Sequence, residues 1–243
     1  MKNTKHLLKL VTLAMLIALG VVISPILRVE GMCPMAHFIN IVCSVFLGPW
    51  YSLLCATLIG VLRMLLMGIP PIALTGAVFG AFLSGVFYWA SKGRIIFAVL
   101  GEIIGTGIIG AIVSYPVMTF LWGKEGLSWL FYVPSFICGT LIGGSIAYVF
   151  LSKFAANGML ARVQTMLGSQ SYMDHTSILS NTLTIAAFGA ILFVVIELAS
   201  DIFKLSGVLW DKLSYISLAV CAAAAVLYYI AKKVKTAHAP DNP

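Results

Sequence analysis

Charge is scarce in this chain. Of 243 residues, 15 are Lys or Arg and 8 are Asp or Glu, 9% together against 61% hydrophobic, and the mean hydropathy is +1.05. So few polar groups cannot cover a water-facing globular surface, so lipid is the solvent for most side chains and the chain reads as an integral membrane protein. The 5 cysteines, Cys33, Cys43, Cys55, Cys138 and Cys221, lack CxxC spacing and mostly lie inside apolar runs. They suggest neither zinc nor a disulfide framework and read as small buried hydrophobes. The sequence has no GxxxxGK(S/T) phosphate loop, no HExxH, no GxSxG, and no carboxylate and histidine cluster that would build a metal site. By motif the chain does not itself hydrolyse ATP, holds no metal and has no catalytic residues, so a non-enzyme is expected.

The formal charge of +7 does not point to nucleic acid, because the basic residues are scattered in short clusters between apolar runs. Membrane orientation explains them better. Eight apolar segments are read, at 7 to 27, 34 to 47, 50 to 68, 71 to 90, 95 to 118, 128 to 151, 181 to 200 and 213 to 231. A helix needs roughly 20 apolar residues to span the hydrocarbon. The first segment follows the basic start of a signal peptide, but it is long enough to span and no small-x-small cleavage pattern precedes Glu30, so it reads as a retained helix. The second is short for a full crossing, as expected of a helix that begins in a buried cavity or below the membrane surface. Gly48 and Pro49 between the second and third segments, and Pro70 and Pro71 before the fourth, predict tight helix-to-helix turns.

With the N-terminus inside, ten basic residues fall on the inner side (Lys2, Lys5, Lys9, Lys92, Arg94, Lys153, Arg162, Lys232, Lys233, Lys235) and four on the outer (Arg28, Lys124, Lys204, Lys212). This bias predicts an even number of spans with both termini cytoplasmic. The chain divides into a six-span body, 1 to 152, a polar cytoplasmic linker, 153 to 180, with a short interfacial helix through Met159 to Leu167, and a two-span appendage, 181 to 243, with a basic tail. In the appendage Glu197 and Asp201 are expected near a membrane face and solvated.

Only a few polar side chains remain inside the spans. His37 and Asn40, three apart on the short second helix, share a face and offer donors and acceptors to a small heteroaromatic or hydroxylated ligand, or to each other and a neighbouring helix. Arg63 in the third span needs a carboxylate or a lined cavity. Its candidate partner is Glu102, which recurs with Thr106 at helical spacing in VLGEIIGTGIIGAIVSYP, ahead of Tyr115; that pair would hold helices together or border a site. Trp129 and Tyr132, at the outer start of the sixth span, are candidates to stack on a ligand, although most of the aromatics read as interfacial anchors. Glu30, on the first loop, could close over a ligand or be a solvated acid. Ala14 and Ala18, and likewise Gly101 and Gly105, are small-xxx-small pairs suited to close helix approach.

The runs PMAHFIN, LGPWYSLLCATLIGVLRMLLMGIPP and GEIIGTGIIGAIVSYPVM, within residues 10 to 150, resemble the ThiW-type substrate-binding (S) components of energy-coupling factor transporters. The resemblance implies an all-α, six-helix S-component bundle, here followed by two additional C-terminal transmembrane helices. It implies an outward pocket capped by the first loop, and a thiazole precursor of thiamine, hydroxyethylthiazole, as ligand. It further implies that Ala14 and Ala18 contact a membrane scaffold subunit coupled to two cytoplasmic ATPases, so that ATP is used by partners and no cofactor sits in this chain. His37, Asn40, Arg63 and Glu102 resemble polar positions of the family pattern. The chain departs from it in continuing about 90 residues past the sixth helix. The competing expectation is a self-sufficient secondary transporter of a small polar or heteroaromatic solute, with Glu102 as its proton or cation site; the inverted repeats such folds often show are not evident.

Overall fold

The computed structural model describes residues 2–26, 32–172 and 208–237, with scattered positions between 178 and 200. It divides into two compact units, Met1–Asp174 and His175–Pro243. Among the described residues there is no strand, and six helices are long and apolar enough to cross a membrane. The protein is therefore an all-α membrane protein.

In the first unit, α1 (Lys2–Ile23), α2 (Pro34–Leu47), α3 (Pro49–Met67) and α4 (Ile72–Ala90) follow one another through short connections. Pro34 and Pro49 each occupy a first helical turn, where the missing N–H has no intrahelical acceptor to lose. Between α2 and α3 the chain reverses on Gly48 alone, at φ 91°, a left-handed value that a side chain would strain. This is the Gly-Pro turn expected from the sequence.

The short α2 is the centre of the bundle. Eleven of its 14 residues are buried, His37 and Asn40 included, because α3, α4 and two later helices pack around it. Burial among protein neighbours explains why a helix too short to cross is stable here: its ends and polar groups meet protein, not lipid.

Helix α5 runs Ile95–Leu121 and is not regular. It passes from α-helical turns into a π-helical stretch at Ile103–Gly110, returns to α at Ala111–Pro116, and widens again at Val117–Leu121. Such wide turns are frequent at functional sites, and Pro116, which cannot donate to the preceding turn, sits just before the second. Small residues let α5 approach α4 at backbone distance. A Cβ on Gly101 would lie 2.4 Å from the Leu83 carbonyl oxygen, and one on Gly105 would lie 2.5 Å from Gly80 Cα. The Gly101 and Gly105 pair is thus internal packing.

The sixth helix, α6 (Val133–Ala156), starts later than the apolar run suggests, because Pro134 sits in its first turn after a stretch of turns. It is followed by α7 (Met159–Leu167), which is amphipathic and buries Leu160, Gln164 and Leu167. Gln164 Nε2 donates to the Val45 carbonyl (2.9 Å) and the Tyr88 hydroxyl (3.0 Å), tying α7 to the ends of α2 and α4.

In the second unit, α8 (Val208–Ala237) carries the span Lys212–Val234. The segment expected at 181 to 200 falls largely outside the described residues. Asn181 Nδ2 donates to Tyr228 Oη (2.8 Å), and Ser214 Oγ donates to Glu197 Oε1. Glu197 is accordingly half-buried and hydrogen-bonded, which corrects its expected solvation; Asp201 lies outside the described residues.

Candidate functional site

The helix ends at the α3–α4 turn surround a cavity of about 80 Å³, lined among others by Cys33 and His37 before and on α2, Arg63 on α3, Gly76 on α4, Thr106 on α5 and Phe136 on α6. It is far below the roughly 300 Å³ at which drug-sized pockets begin, so it suits one small ring or solute. Gly76 makes room for the aromatic floor: a Cβ there would lie 2.7 Å from Phe136 Cε2.

Behind this wall lies Glu102, fully buried. Its Oε1 receives three donors: His37 Nδ1 at 2.9 Å, Asn40 Nδ2 at 3.0 Å and Thr106 Oγ1 at 3.0 Å. Asn40 also donates to the Ala77 carbonyl at 3.3 Å. With Oε1 as the acceptor, His37 carries a proton on Nδ1, and its Nε2 lies on the side of Gly139 of α6. Three convergent donors stabilise a negative charge more strongly than neutral hydrogen bonds would. Glu102 Oε2 has no hydrogen-bond partner and faces α4, where a Cβ on Gly80 would lie 2.8 Å from it and 2.0 Å from Thr106 Oγ1. Gly80 is thus a requirement of the cluster, since any side chain would occupy the space of Thr106 and Glu102.

The expected ion pair between Arg63 and Glu102 is not formed. Among the described residues the basic side chain on Glu102 is His37, its Nδ1 2.9 Å from Oε1. The reason is topological: α2 and α4 each pack against both α3 and α5 and stand between them, so His37 and Asn40 reach the carboxylate where Arg63 cannot. Arg63 is 4% exposed, lines the cavity, and its Nε has no hydrogen-bond partner. A lone charge within a span costs at least about 2.5 to 3.5 kcal/mol, so a guanidinium without an ion pair among the described residues is a place for a counter-group to bind.

The remaining sequence candidates are spread out. Tyr132 is 4% exposed with an unpartnered hydroxyl, and it sits behind the cavity against Phe136, ring centroids 5.8 Å apart. Tyr115 and Trp129 pack on each other at 4.5 Å, with Trp129 57% exposed, and neither lines the cavity. Glu30 lies outside the described residues. Ala14 and Ala18 are exposed on the outer face of α1, opposite the buried Leu13, Leu16 and Gly20.

Sequence reasoning missed Phe136, Gly76 and Gly80. Apolar lining residues resemble core in sequence, and a signal existed only in the i, i+4 spacing of the two glycines, which marks a close approach without saying to what. A larger cleft, about 520 Å³, opens at the other end of the unit around the Gly48–Pro49 turn, with Trp50, Tyr88 and Trp89 on its wall. It is the weaker candidate despite its size. Its polar wall offers Lys9, which already lies over the Tyr51 ring, and the neutral Ser169, whose buried Oγ has no partner, but no buried charge comparable to Arg63 with its unpartnered Nε.

Residues 10–157 match the family model described as thiamine-precursor transporter protein (ThiW). No curated protein and no solved structure matches the chain.

Proposed function

The chain belongs to the ThiW family of thiamine-precursor transporters, and from that premise we propose that it is the substrate-binding subunit of an energy-coupling factor importer for hydroxyethylthiazole. The observation that carries this reading is the small cavity in which His37, Thr106 and Arg63 converge over the Phe136 ring. A thiazole presents one flat face and a ring nitrogen, which a ring floor and the donors of Arg63 suit.

The energy source lies in partners. Without a phosphate-binding loop the chain has no ATPase machinery of its own, and the exposed Ala14 and Ala18 on α1 offer a shallow face to a membrane scaffold that couples to two ATPases. In this reading the protein resides in the plasma membrane with both termini cytoplasmic, following the ten-to-four bias of basic residues. The cavity then opens outward. His37, Asn40, Arg63, Glu102 and Thr106 form or support the binding site, and the protein is no enzyme; Glu30, on the connection between α1 and α2, is a further candidate contact. Tyr132 contributes from behind Phe136, while Tyr115 and Trp129 anchor the bundle's outer rim.

The detergent-purified chain should bind hydroxyethylthiazole without nucleotide, seen as a one-to-one adduct in native mass spectrometry. Uptake by cells should require the ATPase subunits and be lost in Ala14→Leu, Ala18→Leu chains that still bind ligand. The second reading, a self-sufficient secondary transporter, draws on the unpartnered Glu102 Oε2, which a proton or cation would satisfy. Uptake by this chain alone, driven by an ion gradient, would establish that reading and refute ATP coupling.

A further inference from the structure

The cavity wall is lopsided in charge. Its guanidinium, Arg63, is buried, has an unpartnered Nε, and makes no ion pair among the described residues. The nearby acid, Glu102, is not part of the wall: His37, Asn40 and Thr106 occupy its Oε1, and its Oε2 is turned toward Gly80. The carboxylate is thus already engaged by hydrogen-bond donors and set back from the cavity, while the guanidinium lies on the cavity wall.

A guanidinium cannot shed its proton in a protein. A neutral acceptor in the cavity would satisfy an N–H and leave the charge uncompensated; an anion would satisfy both, with two parallel hydrogen bonds where the fork is matched by two oxygens. The rest of the wall, with Phe136, Ile69 and Ile72, is apolar and suits a ring.

We propose that the ligand this cavity is built for is an anion: a small heteroaromatic ring bearing a carboxylate or phosphate that seats on Arg63, with the ring over Phe136 and its heteroatoms facing His37 and Thr106. The inference rests on the thiamine-precursor reading and, because hydroxyethylthiazole is itself neutral, replaces that alcohol by an acidic thiazole as the preferred ligand.

The test is equilibrium binding to the purified full chain by calorimetry, with four probes: hydroxyethylthiazole, its phosphate monoester, the corresponding methylthiazole carboxylate, and benzoate as a ring anion that is not a thiazole. At least one thiazole anion should bind about tenfold or more tightly than the alcohol, and which one does so identifies the acidic group. Arg63→Gln should erase that preference, and Arg63→Lys should restore part of it. The ranking of probes on the unaltered protein decides the matter even where a variant misfolds. Alcohol binding as tight as that of both anions overturns the inference and leaves the thiazole reading standing. Failure of all three thiazoles overturns that reading instead; benzoate binding that depends on Arg63 then upholds the anion preference, and its absence overturns that too.

Discussion

Glu102 and Arg63 are both buried charges on helices that flank α2, yet three donors converge on one and the other has an unpartnered Nε. The difference follows from what lies beside each. Glu102 starts the π-helical stretch of α5, where the backbones of α4 and α5 touch through Gly80 and Gly105 and α2 presents two polar side chains on one face. Arg63 sits one turn from the end of α3, where the helices part around the cavity. One charge is built into the packing and the other is left on a wall. The comparison teaches that a polar residue in an apolar run has two possible fates, and that the geometry around it, not its chemistry, decides which.

Substitutions can break this contrast. Glu102→Ala removes the acceptor from three buried donors and leaves His37, Asn40 and Thr106 unpaired, so unfolding in detergent should show a loss of about 3 to 5 kcal/mol, the scale for breaking a buried pair. Gly80→Ala keeps every polar group but forces a Cβ into Thr106 and Glu102, with an expected loss of about 1 to 3 kcal/mol from overpacking; a stability unchanged from the unaltered chain would mean that α4 and α5 do not meet at backbone distance. Thr106→Val withdraws one donor at nearly constant volume and should cost about 0.5 to 1.5 kcal/mol. Arg63→Met should be neutral or slightly stabilising in the absence of ligand, because it removes a buried charge that the fold does not pair. A destabilisation by Arg63→Met as large as that of Glu102→Ala would abolish the distinction between the two charges.

Much of this was legible in the sequence. Hydropathy alone outlines the helices, and Gly48 with Pro49 marks the turn because few residues tolerate that backbone. His37, Asn40, Arg63, Glu102 and Thr106 stand out because polar groups in apolar runs need partners. Their pairing did not stand out, since Arg63 with Glu102 is the obvious match by charge and only the order of helices in space shows α2 and α4 between them. The irregular turns of α5 left no local mark except Pro116, as a π-turn arises from what packs on the helix more than from its own residues. Aromatic residues were visible but not their neighbours: Phe136 faces the cavity, whereas Trp129 packs on Tyr115. Trp129→Ala should therefore change ligand affinity by less than about twofold, the smallest effect of the series.

The location of the ligand can be read most directly from Cys33, which is half-buried on the cavity wall. With Cys138 and Cys221 replaced by serine, Cys43 and Cys55 remain buried, so alkylation by a small maleimide reports on Cys33. Saturating thiazole ligand should slow that alkylation by about tenfold or more, as occupancy of the cavity requires. A chain that carries its ligand, shown by an intact adduct in native mass spectrometry, while Cys33 reacts at an unchanged rate would contradict the assignment of this cavity as the binding site.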